Sequence, residues 1–162
     1  MTMYMEYGDI KGSVTAAGYE GMILVRAFKF EVLRNIGMET GALANREYGK
    51  PAFGVITLNK HMDSASPGIM REAVAGAAGK QVKIHFVRTG AKQLQENITY
   101  TFEQCLPVFF RLVALKREGG IPAERLYLSY TSVQVSFTDS GADNKTLGVH
   151  RQGYDLALAK SM

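Results

Sequence analysis

The stretch FGVITLNKHMDSASPGIMREAVAGAAG, from Phe53 to Gly79, changes its hydrophobic period once, and that change decides the fold. It opens with Val55-Ile56-Thr57-Leu58, an apolar and β-branched run suited to a half-buried strand. Ser66-Pro67 then reads as a helix start. A serine hydroxyl accepts a bond from one of the first free backbone N–H groups, and a proline gives up an N–H that would be unpaired anyway. Behind it Ile69, Met70, Ala73, Val74 and Ala77 recur at helical spacing, with Arg71 and Glu72 on the other side. Gly76 and Gly79 are the natural stops. The pattern predicts one short helix over about 64–77, packed on β structure.

Working outward, the N-terminal side supplies strands. Met3, Met5 and Tyr7 alternate with Tyr4 and Glu6, and the run ends at Gly8-Asp9. Residues 22–32 form the next strand candidate, with Phe28, Phe30 and Val32 on one face and Lys29 and Glu31 on the other. From 33 to 51 no period holds, and Gly37, Gly41 and Gly49 interrupt the segment. A structureless run of that length in a compact domain is either functional or a surface loop.

Beyond the helix, Val82, Ile84 and Phe86 alternate with polar neighbours, as do Ile98, Tyr100 and Phe102, so a hairpin with a longish connection is expected. Residues 106–115 are apolar on both faces, which predicts either double burial or contact with another chain. Leu126, Leu128 and Tyr130 occupy even positions, while Val133, Val135 and Phe137 occupy odd ones. A single strand cannot hold both sets on one face, so a bulge or sharp twist is expected near Thr131-Ser132. Residues 139–153 read as a polar loop, and Tyr154, Leu156 and Leu158 as a closing strand. The fold class predicted is mainly β: an antiparallel barrel or sandwich with one short flanking α-helix.

Composition bounds the function. The 162 residues fit a single domain, 1–162, with a core of its own, and 46% hydrophobic with 21% charged residues argue against disorder. The 19 basic and 15 acidic residues, a net charge of +4 with no long run of one sign, do not call for nucleic acid. A lone Cys105 excludes an internal disulfide and suits a reducing compartment. Glu6 and Asp9 break any early apolar run, so no signal peptide is expected. Residues 105–115 contain Pro107 and Arg111 and fall short of the ~20 apolar residues of a membrane helix, so no membrane insertion is expected.

The search for chemistry returns no catalytic, cofactor-binding or metal residues. His61, His85 and His150 stand far apart and lack metal-ligand spacing. His61, Asp63 and Ser64 crowd one turn, whereas triad members converge from separate elements. Cys105 has no histidine or basic cluster nearby in sequence to activate it. The aromatic residues fall at core positions of strands and do not form a stacking platform for bases.

Three blocks together resemble the hemolysin-coregulated protein (Hcp) family, the tube-forming proteins of the bacterial type VI secretion system. They are Met5-Glu6-Tyr7-Gly8-Asp9-Ile10-Lys11-Gly12, then Phe28-Lys29-Phe30, then Lys60-His61-Met62-Asp63-Ser64-Ala65-Ser66-Pro67. The likeness continues in Lys83-Ile84-His85-Phe86-Val87-Arg88-Thr89-Gly90, in Leu126-Tyr127-Leu128-Ser129-Tyr130 and in Gly153-Tyr154-Asp155-Leu156-Ala157. The resemblance implies a β-barrel with one helix, homo-hexameric rings, and rings stacked into a tube. A sheath propels that tube, tipped by a spike protein, and secreted effector proteins ride in its lumen. It implies no enzyme activity and no cofactor.

The same resemblance implies a protein made in the cytoplasm and then secreted without a cleavable signal peptide. It assigns Ile36, Gly37, Met38, Glu39, Thr40 and Gly41 to a loop that reaches the neighbouring ring. It also turns Lys29 and Glu31 toward the lumen, where repeated ammonium groups would favour acidic cargo. Two departures stand out: Val108-Phe109-Phe110-Arg111-Leu112-Val113 is apolar where the family has serine and glycine, and Phe28 and Phe30 stand where tryptophan is common. No fused toxin domain is expected after the last strand. A small ligand-binding barrel or a nucleic-acid-binding barrel is the alternative reading, and neither needs a hexamer.

Overall fold

The computed structural model describes residues 1–36, 48–89, 94–115, 120–140 and 146–162. The chain runs through β1 (Thr2–Tyr7), β2 (Ile23–Val25), β3 (Ala27–Lys29), β4 (Val32–Ile36), β5 (Tyr48–Phe53) and β6 (Ile56–His61) to the helix α1 (Ser66–Ala75). It continues through β7 (Lys80–Thr89), β8 (Leu94–Val113), β9 (Ala123–Ser129), β10 (Ser132–Ser140), β11 (Thr146–Asp155) and β12 (Lys160–Ser161). The strand pairings are antiparallel. One layer is ordered β12-β11-β10-β8-β7-β1-β2; the other runs β8-β9-β6-β3, so the 20-residue β8 belongs to both. The result is a β sandwich rather than a closed barrel, with β4 and β5 set apart as a two-stranded ribbon.

The core follows the alternation. Met5 and Tyr7, Ile56 and Leu58, Val82 and Ile84, and Leu126 and Leu128 all point inward and are fully buried. Phe28 and Phe30 join them through an aromatic cluster with Phe86, Tyr100, Phe102 and Tyr130, whose ring centroids lie 5.1–6.3 Å apart. Such tilted and edge-on contacts add to the burial of each ring.

Several expectations shift once the strands are in place. The 22–32 run is divided: β2 pairs with β1 and β3 pairs with β6, the change falling at Arg26, whose N–H donates to Asn59 O at 2.8 Å. Val32 lies exposed on the ribbon and does not join Phe28 and Phe30 inside. The helix is shorter than 64–77. Its N-cap is Ala65, without a side-chain cap, because the Ser66 hydroxyl is spent on Lys60, Glu124 and the Asp63 N–H. Of its apolar residues Ile69 is buried while Met70 and Val74 stay exposed, and Glu72 turns inward to pair with Lys80 at 3.1 Å.

The ends of the 33–51 segment are strand, not loop: Val32 faces Phe53 and Arg34 faces Pro51 across the ribbon. The supposed polar loop 139–153 is largely β11, in register with β10 from Ser132↔Asp155 onward. The closing strand is correspondingly shorter, since Leu156 and Leu158 sit in the turn before β12.

The phase slip is met by a break. β9 ends at Ser129 and β10 starts at Ser132, both along β8, where the register Leu106↔Ser129 resumes at Glu103↔Ser132. The Thr131 N–H donates to Glu103 O at 3.0 Å across the gap. β8 bends at the same level: Gln104 has φ of 50°, a left-handed conformation uncommon for a residue with a Cβ. Gly79 lies against that bend, and a Cβ there would meet the Gln104 carbonyl carbon at 2.3 Å.

Candidate assembly surfaces

Lys29 and Glu31 are held on the outward side of the Phe28-Lys29-Phe30 run because their neighbours occupy the core. Their charges meet at 2.9 Å, with side chains 66% and 59% exposed. The two therefore present a compensated ion pair, and the image of unopposed ammonium groups gives way to alternating charge. Next to them the ribbon carries Val32 and Leu33 to the surface, and the Arg34 guanidinium donates to Gly49 O at 2.9 Å. Of the residues assigned to the ring-stacking loop, Ile36 closes β4 opposite Tyr48. Gly37, Met38, Glu39, Thr40 and Gly41 lie outside the described residues.

The run 106–115 is the outer half of β8, paired with β9 as far as Val113, and the two residues beyond it, and it is covered poorly. Val108 is 57% exposed and Leu115 65%, with Leu112 and Val113 also open. Phe109 stacks on Tyr127 at 4.6 Å, and the Arg111 guanidinium lies 5.3 Å over the Phe109 ring. Ile121, also exposed, lines a separate groove of about 530 Å³ whose walls include Leu24, Met62 and the 13–16 segment. Of the two expectations for this run, contact with another chain is the one that suits its exposure. A surface of this kind on a domain is a place where something docks.

The Lys60–Pro67 block folds around a buried charge cluster. Lys60 and Glu124 are cross-strand partners on β6 and β9, and the ammonium donates to Glu124 Oε2 at 2.5 Å. Lys60 also reaches Asp63 at 2.9 Å and donates to Ser66 Oγ at 3.1 Å, while Ser66 donates to Glu124 Oε2 at 2.9 Å. Asp63 Oδ1 accepts from the Ala65 N–H at 3.0 Å, which shapes the turn into α1. The cluster ties β6, β9 and α1 together, and both of its principal charges are sealed from water.

The sequence search did not flag it, although a signal existed. Lys60 has the parity of Ile56 and Leu58, and Glu124 that of Leu126 and Leu128. Two opposite charges at the ends of core-facing runs ask for each other.

The residues set aside as chemically inert are engaged elsewhere. The Ser64 hydroxyl contacts Ser13 Oγ at 3.0 Å, and Asp63 belongs to Lys60, so His61, Asp63 and Ser64 do not converge. Burial, with the Glu103 charge adding to it, pushes the Cys105 thiol up to about 12, far from a reactive thiolate. Among the described residues no group of three His, Cys, Asp or Glu side chains could hold a metal ion, and no helix is long and apolar enough to cross a membrane.

Residues 4–137 match the family described as type VI secretion system effector, Hcp. The chain belongs to the Hcp family. Its members are the tube proteins of the type VI secretion system, which form rings and are secreted. Solved structures share the fold. A type six secretion system protein is 19% identical, with a TM-score of 0.91 over 99% of both chains. Hcp1 from Salmonella typhimurium is 17% identical, with a TM-score of 0.77 over 99% of this chain and 98% of that one. A component of the 6-fold symmetrised baseplate of the anti-feeding prophage is 12% identical, with a TM-score of 0.52 over 83% of this chain and 90% of that one. No curated protein matches in sequence. At such identities the structures speak for the fold, while family membership rests on the match across 4–137.

Proposed function

We propose that this chain, as one domain over 1–162, closes as six copies into a ring whose stacked repeats make the tube of a type VI secretion machine. Membership of the Hcp family carries this reading, and the uncovered apolar half of β8 supports it. In the ring Lys29 and Glu31 face the lumen, where repeated ion pairs line the path of effector proteins. Ile36, Gly37, Met38, Glu39, Thr40 and Gly41 reach the next ring. The tube works with a spike and a sheath. The protein is made in the cytoplasm, leaves without a cleavable signal peptide, and does mechanical work with no catalysis. Electron microscopy of the purified protein tests the reading. Six-fold annular particles are expected, and a field of small featureless globules contradicts it.

A further inference from the structure

His85 is the buried titratable group that neither assembly nor the core accounts for. It sits mid-strand in β7, opposite Tyr4 of β1 and Thr99 of β8, and is 8% exposed. Each ring nitrogen faces a carboxylate from a different strand. Nδ1 lies 2.7 Å from Glu96 Oε2, and Nε2 lies 3.4 Å from Glu6 Oε1. The first contact is a hydrogen bond. The second is not, and Nε2 is left buried without a hydrogen-bond partner.

The surroundings define what a proton would do. Tyr19, from the segment between β1 and β2, stacks on Tyr4 at 4.8 Å and meets the imidazole edge-on at 6.0 Å. Lys83, on the same strand as His85, stands 3.6 Å from Glu6 and offers that carboxylate another partner. Glu96 also accepts from the Thr99 hydroxyl. The His85 hydrogen bond, with Thr99 contributing, holds the Glu96 carboxyl below its usual range. Glu96 thus stays ionised across the range in which imidazoles titrate, and its stabilising contribution is lost only in stronger acid. Burial and the neighbouring Glu96 carboxylate push the Tyr19 phenol up, so Tyr19 stays neutral there too. Imidazole side chains in general change charge between about pH 5 and 8.

We propose that His85, Glu6 and Glu96 form a proton-operated latch that holds the 12–22 segment against the sheet. With Nδ1–H donated to Glu96, a neutral ring turns the Nε2 lone pair toward the Glu6 carboxylate, acceptor against acceptor. A proton on Nε2 converts that opposition into a charge-assisted bond, joining β1, β7 and β8 beneath Tyr19. On deprotonation Glu6 turns to Lys83, which loosens the wall of the cavity of about 670 Å³ that Tyr19, Met22, His85 and Glu96 line. Because Ser13, Val14, Thr15 and Ala16 of the same segment wall the groove beside Ile121, release reshapes a candidate contact surface. The latch is a property of the single chain and stands whether or not rings form.

Amide hydrogen exchange on the full chain tests it, corrected for intrinsic rates, at about pH 5.5 and about pH 8, on either side of the imidazole range. The reporters are the Tyr19, Gly21 and Met22 amides, which donate to Ala16, Val14 and Tyr19 carbonyls. Their protection should fall about tenfold at the higher pH, as expected for losing one charge-assisted bond. Glu6→Gln, whose amide can donate to a neutral Nε2, should abolish the pH response, and so should His85→Gln. Equal protection at the two pH values in the native chain overturns the latch. So does a response that survives in either variant. If His85→Gln fails to fold, Glu6→Gln and the ring-nitrogen shifts of His85 in the native chain still decide the matter.

Discussion

At the residue scale the Lys60–Glu124 pair governs most. Removing one partner of a buried pair leaves the other charged and dry, a loss of about 3–5 kcal/mol, whereas replacing both with apolar groups is often neutral. Lys60→Met should therefore lower the denaturation midpoint sharply, and Lys60→Met with Glu124→Leu should recover much of it. Equal losses in the single and double variants would mean that packing, not charge, dominates the site. This part of the fold was half legible. The apolar run 55–58 marked a half-buried strand and alternation set Leu126 and Leu128 on one face, and Ile56, Leu58, Leu126 and Leu128 are fully buried. The cross-strand register that brings Lys60 to Glu124 is a long-range fact that neither strand encodes by itself. Ser66 misled for the same reason: its capping role was the best local use of a hydroxyl, and a partner 58 residues away outbid it.

Among the elements, the bend of β8 is the feature with a cost attached. Gln104 occupies left-handed backbone, and Gly79 leaves no room behind it. Gln104→Gly should be neutral or stabilise by up to about 1 kcal/mol, since a left-handed residue with a Cβ carries roughly 1–2 kcal/mol of strain. Gly79→Ala should destabilise, because its methyl would press on backbone that cannot yield; thermal melts of the two variants check the pair. The bend explains why the phase slip at Tyr130 and Val133 was visible in sequence but its form was not. The even and odd sets announced a discontinuity, yet whether a residue bulges or a strand breaks depends on the partner strand.

The ribbon was hidden by its own residues. Pro51 and Gly49 speak against a strand, but among the described residues β5 pairs on one side only, and an edge strand tolerates a missing N–H. Replacing residues 36–45 with a short glycine-serine linker should leave rings intact and stop stacking. Loss of the rings themselves would assign residues 36–45 to the ring contact or the core instead.

Across the whole molecule, two facts lead to the same demand. The chain carries an apolar strand half that its own sheets leave open, and it belongs to a family whose members build rings. Copies joined through unlike patches, head to tail, close when the rotation allows, and a closed ring hides every such surface at once. Static light scattering of the purified chain at micromolar concentration tests this most directly. The account predicts a single species of six times the 17.8 kDa chain mass, or stacks of that unit. A clean monomer of 17.8 kDa would contradict it.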